Sequence, residues 1–194
     1  MRKALHKLTQ RHHFADGQSY DRHAGRVFGG MYRRVAEEVA IAAPPGGVLL
    51  DAGCGTGQLA VEIAVQRPDL CVLGVDLESG MVDAATRRAE REGVTDRVEF
   101  TVADLAELPL PDDSVDLIIS TASLHHWTDA AAVIVSLGRV TRTDGRMWIY
   151  DIRWVQAGDV RSAAARLGRR VDRTLVRTGW FPAAFLQRLA VEPA

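Results

Sequence analysis

The 194-residue chain is short of several things, and each shortage closes off a class of protein. It has two cysteines, Cys54 and Cys71, far apart in sequence. They build neither a disulfide framework nor a thiolate zinc site, so a reducing cytoplasm is expected and no metal. No apolar run is long enough to cross a bilayer, so no membrane partner is expected. The opening MRKALHKLTQRHH is basic but has no apolar stretch behind it, so it does not read as a secretory signal. The net charge is −1, without the global positive excess of a nucleic-acid binder. Internal repeats and low-complexity tracts are absent.

What is present is ordinary for one globular domain. The chain is 47% hydrophobic and 25% charged, enough for a sizeable core. The charge is unevenly placed. Residues 1–34 hold eight Lys/Arg against two Asp, and residues 158–189 hold seven Arg against two Asp. The stretch between must therefore be strongly acidic.

Elements alternate along the chain. Residues 20–42 carry Val27, Phe28, Met31, Val35 and Val39 near one helical face, and Pro44-Pro45-Gly46-Gly47 ends that helix. Strands are expected at Val48–Ala52, Cys71–Asp76, Arg97–Val102, Val115–Ser120 and Met147–Ile152, the last after an Asp144-Gly145 turn. Helices fall between them, over Gln58–Arg67, Ser79–Glu92 with Gly93 as its stop, and Ala130–Val140. Strands alternating with helices predict an α/β fold, a doubly wound, Rossmann-like, mostly parallel sheet covered on both faces. Beyond the fifth strand, Arg166, Arg169, Arg170, Arg173 and Arg177 form a stripe about 100° wide if the segment is helical, with Leu167, Val171 and Leu175 opposite.

The most informative stretch is VLLDAGCGTG, Val48 to Gly57. A short apolar strand runs into alternating glycines and then a helix. Such a turn lets a ligand lie directly on the backbone. The spacing G-x-G-x-G departs from the dinucleotide fingerprint G-x-G-x-x-G. Asp51 stands just before the glycines, where it would repel a pyrophosphate and attract a cation. Asp76 ends the second strand 23 residues after Gly53, at the place where an acid takes a ribose diol. Asp104 follows the third strand, facing the next part of the same crevice, where an adenine amino group would want an acceptor.

Together VLLDAGCGTGQLA, VLGVDLESGMVDAA, VADLAELPLPDDSVDLIISTASLHHW and GRMWIYD resemble a class I S-adenosylmethionine-dependent methyltransferase of the small-molecule type, over residues 48 to about 151. The resemblance implies S-adenosyl-L-methionine as cofactor. It implies Asp51, Gly53 and Gly55 at its methionine end, Asp76 on the ribose, and Leu77 against the adenine. Asp104 and the Leu105 amide would read the adenine edge, and Ser120 would lie near the transferred methyl group. His125 and His126, in the loop after the fourth strand, are candidate general bases. The loop lacks the Asn/Asp-Pro-Pro-aromatic pattern of amino-methylating nucleic-acid enzymes, which favours a small-molecule acceptor. The basic ends predict a lid favouring an anionic one. Residues 1–45 read as a helical cap, 46–152 as the cofactor-binding core, and 153–194 as a basic helical segment with a last strand. The family usually closes its sheet with an antiparallel pair, whereas here only Arg188–Glu192 resembles a strand. An incomplete edge is therefore expected, open to a second copy of the chain.

Duller readings stand beside these. Asp76 and Asp104 are placed to cap helices. Trp127, Trp148 and Trp154 suit packing, and the arginine stripe suits a solvated face. Two other functions compete: an NAD-dependent oxidoreductase, and a non-catalytic S-adenosylmethionine-binding module or partner subunit, for which the incomplete edge is the main support.

Overall fold

The computed structural model describes residues 17–176 and 186–194, with side chains from residue 30 onward. In chain order the elements are α1 (Gly17–Ala42), β1 (Val48–Ala52), α2 (Gln58–Gln66), β2 (Cys71–Asp76), α3 (Ser79–Glu92) and β3 (Val98–Val102). They continue with β4 (Val115–Thr121), α4 (Ala130–Val140), β5 (Thr141–Ile152), α5 (Gly158–Arg166), β6 (Arg169–Val176) and β7 (Leu186–Pro193). Single 3-10 turns at Leu105–Glu107 and Leu124–His126 follow β3 and β4. The seven strands form one sheet in the order β3-β2-β1-β4-β5-β7-β6. The first five pair in parallel, and β7 is antiparallel to both β5 and β6.

Alternation along the strands sends side chains to two cores. Leu49, Leu117, Ile119, Trp148 and Tyr150 pack with Val35 and Val39 of α1 and Ile63 of α2. Leu50, Ile118, Met147, Ile149 and Leu189 pack with Ile134 and Leu137 of α4 and Val160 of α5. Each such apolar side chain withdrawn from water contributes about 1.5–3 kcal/mol before entropy is counted. Met31, Val35 and Val39 face the core as their spacing predicts, while the side chains of Val27 and Phe28 lie outside the described residues.

Several expectations are corrected. The sheet edge is complete, because β6 pairs with β7 over Arg169 to Val176. The expected arginine helix is two elements: α5 stops at Arg166, Gly168 takes φ +67, and β6 begins at Arg169. Val171, Arg173 and Leu175 then share one face of a strand, an alternation that the helical reading of the same residues hid. Arg177 lies outside the described residues. The open edge that suggested self-association, and that supported a partner-dependent subunit, is filled by β6. β5 also starts earlier than expected, since Thr141 already pairs with Val115, and the register shifts before Leu117 meets Arg146. α3 begins at Ser79 as expected, with Glu78 in the N-cap position. Among the described residues no helix is long and apolar enough to cross a membrane.

Candidate functional site

The strand order reverses between β1 and β4, so a crevice opens beyond their C-terminal ends. The glycine turn lies there. Gly53, Gly55 and Gly57 all have positive φ, at +77, +52 and +71. Their reasons differ. A Cβ on Gly53 would stand 2.2 Å from Ser123 Oγ, and one on Gly57 would meet Ala85 and Phe100 at 2.7 and 2.8 Å. A Cβ on Gly55 would meet nothing within 4 Å. Gly53 and Gly57 are therefore bare for packing, and Gly55 opens onto the crevice.

Asp76 holds this turn in shape. Its Oδ2 accepts the Gly55 N–H at 2.8 Å and its Oδ1 accepts the Glu78 N–H at 3.0 Å. A carboxylate has about four acceptor positions, so both oxygens retain capacity toward a ligand. Asp104 Oδ1 accepts the Ala106 N–H at 2.8 Å, so the capping reading of that residue is correct for one of its oxygens. Leu77, just beyond the end of β2, is an apolar side chain 66% exposed. Leu105 is buried at the start of the following turn.

Five buried side-chain polar atoms lack a hydrogen-bond partner among the described residues, on Asp51, Ser120, Thr121, Gln187 and Arg188. The first three end the adjacent strands β1 and β4, at the mouth of the crevice. Buried polar groups are normally satisfied, so these three atoms at neighbouring strand ends are candidates for ligand contact. Asp51 is 2% exposed. Burial, and then the neighbouring charge of Asp76, pushes its pKa up to about 7, against a hydrogen bond from the Ala60 N–H. A cation beside Oδ2 would reverse that penalty.

The loop after β4 turns back over Gly53. Ala122 takes φ +54, a left-handed conformation that costs a non-glycine residue about 1–3 kcal/mol, and its N–H donates to Tyr150 O at 2.8 Å. Trp127 Nε1 donates to Ser123 Oγ at 2.9 Å, so the indole fastens this loop and packs as expected. Trp148 is buried, whereas Trp154 is 55% exposed.

The loop brings His125 to Asp151 at the end of β5. His125 Nδ1 lies 2.9 Å and 3.1 Å from the two carboxylate oxygens, and the His125 backbone N–H donates to Oδ2 at 3.1 Å. The Ile152 N–H donates to Asp151 Oδ1 at 2.6 Å. Asp151 is fully buried. A carboxylate only accepts, so Nδ1 carries the proton and Nε2 is left as an acceptor. His126 lies beside His125, its ring tilted by 42° with the centroids 4.0 Å apart. Desolvation, then the neighbouring His125, pulls its pKa below the ordinary imidazole value, partly offset by Asp151 and Asp76. Of the two histidines, His125 is the one that contacts an acid among the described residues. Sequence reasoning missed Asp151, although the signal was there: an acid ends β5 just as Asp76 ends β2.

The arginines divide. Arg169 donates to Gly145 O and Arg142 O, near the start of β5 and far from the crevice. Burial pulls its pKa below the ordinary value, partly offset by Asp113 and Glu192. It is a structural tie, not part of a lid. Arg173, higher on the same strand, donates to Arg153 O at 2.7 Å, just beyond β5. The side chains of Arg22 and Arg26 lie outside the described residues, and Arg34 pairs with Glu38 on α1.

A doubly wound sheet with an antiparallel closing pair, a bare glycine turn and acids at its strand ends is an architecture suited to hold a nucleoside cofactor at its switch point. Residues 44–176 match the family described as a methyltransferase domain, and the chain belongs to it. It carries a methyltransferase domain over about two thirds of its length. Over 128 residues the chain is 38% identical to 27-O-demethylrifamycin SV methyltransferase of Amycolatopsis mediterranei (strain S699), covering 66% of this chain and 47% of that one. It is 35% identical to methyltransferase GfsG of Streptomyces halstedii over 122 residues, 63% of this chain and 43% of that one. The chain thus spans less than half the length of these relatives. A SAM-dependent methyltransferase from Aquifex aeolicus shares the fold, with a TM-score of 0.75 at 18% identity, over 92% of this chain and 99% of that one. The residues present suit the cofactor: Asp51 Oδ2 is a buried carboxylate oxygen with no hydrogen-bond partner among the described residues, and the space over Gly55 is clear.

Proposed function

We propose that the protein methylates a hydroxyl oxygen of a small-molecule acceptor, with His125 as the base and Asp151 as its positioning residue. The observation that carries this reading is the His125 Nδ1 to Asp151 contact at 2.9 Å, which leaves Nε2 as a proton acceptor. The relative from Amycolatopsis mediterranei is named for the same kind of acceptor atom, an oxygen.

When bound, the cofactor supplies an electrophilic methyl group on a sulfonium sulfur. Asp51, Asp76, Asp104 and the open backbone at Gly55 would hold it, with Leu77 and the Leu105 amide at the adenine and Ser120 toward the methyl group. The chain then needs to align the acceptor and exclude water. A hydroxyl is a poor nucleophile until its proton leaves. His125 Nε2 takes that proton, and the carboxylate of Asp151 stabilises the imidazolium that results. His126 crowds the same ring without an acid of its own and serves as packing.

The test is steady-state release of S-adenosylhomocysteine with an acceptor found by screening hydroxylated metabolites. His125→Gln should lower kcat by about a hundredfold to ten-thousandfold and remove the acid limb of the pH–rate profile. His126→Gln should keep both. A folded His125→Gln variant with parental kcat would remove the base from the mechanism.

A further inference from the structure

Gln187 of β7 is fully buried, yet its Oε1 has no partner. Its amide orientation is fixed, because Nε2 donates to two carbonyls, Ile152 O at 3.2 Å and Val155 O at 2.8 Å. The oxygen is therefore the unsatisfied corner, and it calls for an O–H or N–H donor. Gln187 pairs directly across the strands with Asp151. Paired residues of antiparallel strands point to the same face, with Cβ atoms about 5 Å apart. The orphan amide thus sits beside the acid that positions His125.

Gln187 also lines a cleft of about 280 Å³. The same walls carry Arg153, Arg161 and Arg173, the ring of Trp154, and Gly158 at the start of α5. Among the described residues no acidic side chain lines it. Arg153 lies 4.9 Å over the Trp154 ring, which steadies its guanidinium. Arg173 spends one donor on Arg153 O, and a guanidinium has five. The N-terminus of α5 adds the positive end of a helix dipole. Three acids lie nearby: Asp159 is exposed in the first turn of α5, Asp172 lies on the other face of β6, paired with Arg170 at 3.6 Å, and buried Asp151 has its carboxylate engaged by His125 and the Ile152 N–H.

We propose that this cleft is an oxyanion subsite for the methyl acceptor, in which Arg161, Arg173 and the start of α5 grip a phosphate or carboxylate while Gln187 Oε1 receives a neighbouring hydroxyl or N–H. The assignment to the acceptor rests on His125 as the reacting side of the molecule. Guanidinium groups suit such oxyanions through paired N–H donors. The orphan oxygen adds selectivity for a ligand that carries a donor next to its charge.

The subsite is tested by calorimetric titration of the S-adenosylhomocysteine-saturated protein at constant ionic strength. The probes are glycerol 2-phosphate, glycerate and neutral glycerol. Saturable binding of either anion and none of glycerol is expected, and the stronger anion tells phosphate from carboxylate. Arg161→Gln and Arg173→Gln should each weaken anion binding about tenfold, with S-adenosylhomocysteine affinity unchanged. Anion binding that persists in the double variant, that never saturates, or that S-adenosylhomocysteine displaces overturns the subsite. If the anion binds but S-adenosylhomocysteine does not, the methyl-transfer reading fails instead.

Discussion

Asp51 links the chemistry of one residue to pH. Its pKa is raised from 3.8 to about 7 by burial and by Asp76. Between those two values the folded chain holds a proton that the unfolded chain has lost. The contribution of this one carboxyl to stability is therefore fully present below pH 4 and is lost as pH rises toward 7, by on the order of 4 kcal/mol. Asp51→Asn should remove that share of the decline, measured as the difference between the two denaturation profiles. A cationic ligand has the opposite preference, since it favours the ionised carboxylate. Cofactor affinity should rise up to tenfold per pH unit as pH approaches 7, with proton release detectable in buffers of different ionisation enthalpy. A pH-independent affinity in the parent protein would detach Asp51 from the cofactor.

The glycines make a second residue-scale contrast. Gly53→Ala should lower the melting temperature, because the new methyl group meets Ser123 and displaces the loop that carries His125. Gly55→Val should leave much of the fold while abolishing cofactor binding, since its side chain enters open space at φ +52. Tight binding by Gly55→Val would show that the turn is not the contact surface. The sequence made the glycine turn and the three aspartates legible, because strand-end chemistry is local. It could not separate a glycine bare for Ser123 from one bare for a ligand, since that depends on a loop 70 residues away.

At the scale of elements, the active face depends on how α1 and the closing strands brace β5. Tyr150 O–H on β5 donates to Glu38 Oε2 of α1 at 2.9 Å, and Arg188 of β7 reaches the same oxygen at 3.2 Å. Burial and the charge of Glu38 push the Tyr150 pKa well above the usual phenol value, so the hydroxyl stays a donor. Tyr150→Phe should cost about 1 kcal/mol in chemical denaturation, with cofactor affinity unchanged. A loss above about 3 kcal/mol would mean that the ring itself had moved. The misreading of β6 as helix shows why periodicity is ambiguous. Leu167, Val171 and Leu175 recur every four residues, which satisfies a helix and, for Val171 and Leu175, a strand as well. Gly168 was the missed punctuation, a left-handed stop between α5 and β6.

Over the whole molecule, parallel order and two-sided burial were readable because each strand is an apolar run between helical patterns. The junction of His125 with Asp151 was not, since it joins residues 26 apart through a left-handed alanine that no local rule predicts. The completed edge also settles the balance of charge: part of the basic C-terminal segment becomes an edge strand whose Arg169 and Arg173 fasten to backbone carbonyls around β5. The central claim is that the crevice between β1 and β4 takes S-adenosylmethionine through Asp76 and the glycine turn. Isothermal titration of the parent protein and of Asp76→Ala with S-adenosylmethionine and with NAD tests it most directly. The account predicts saturable binding of S-adenosylmethionine, none of NAD, and a loss of about tenfold to a few hundredfold in Asp76→Ala. Binding of NAD instead, or an unchanged affinity in a folded Asp76→Ala, would contradict it.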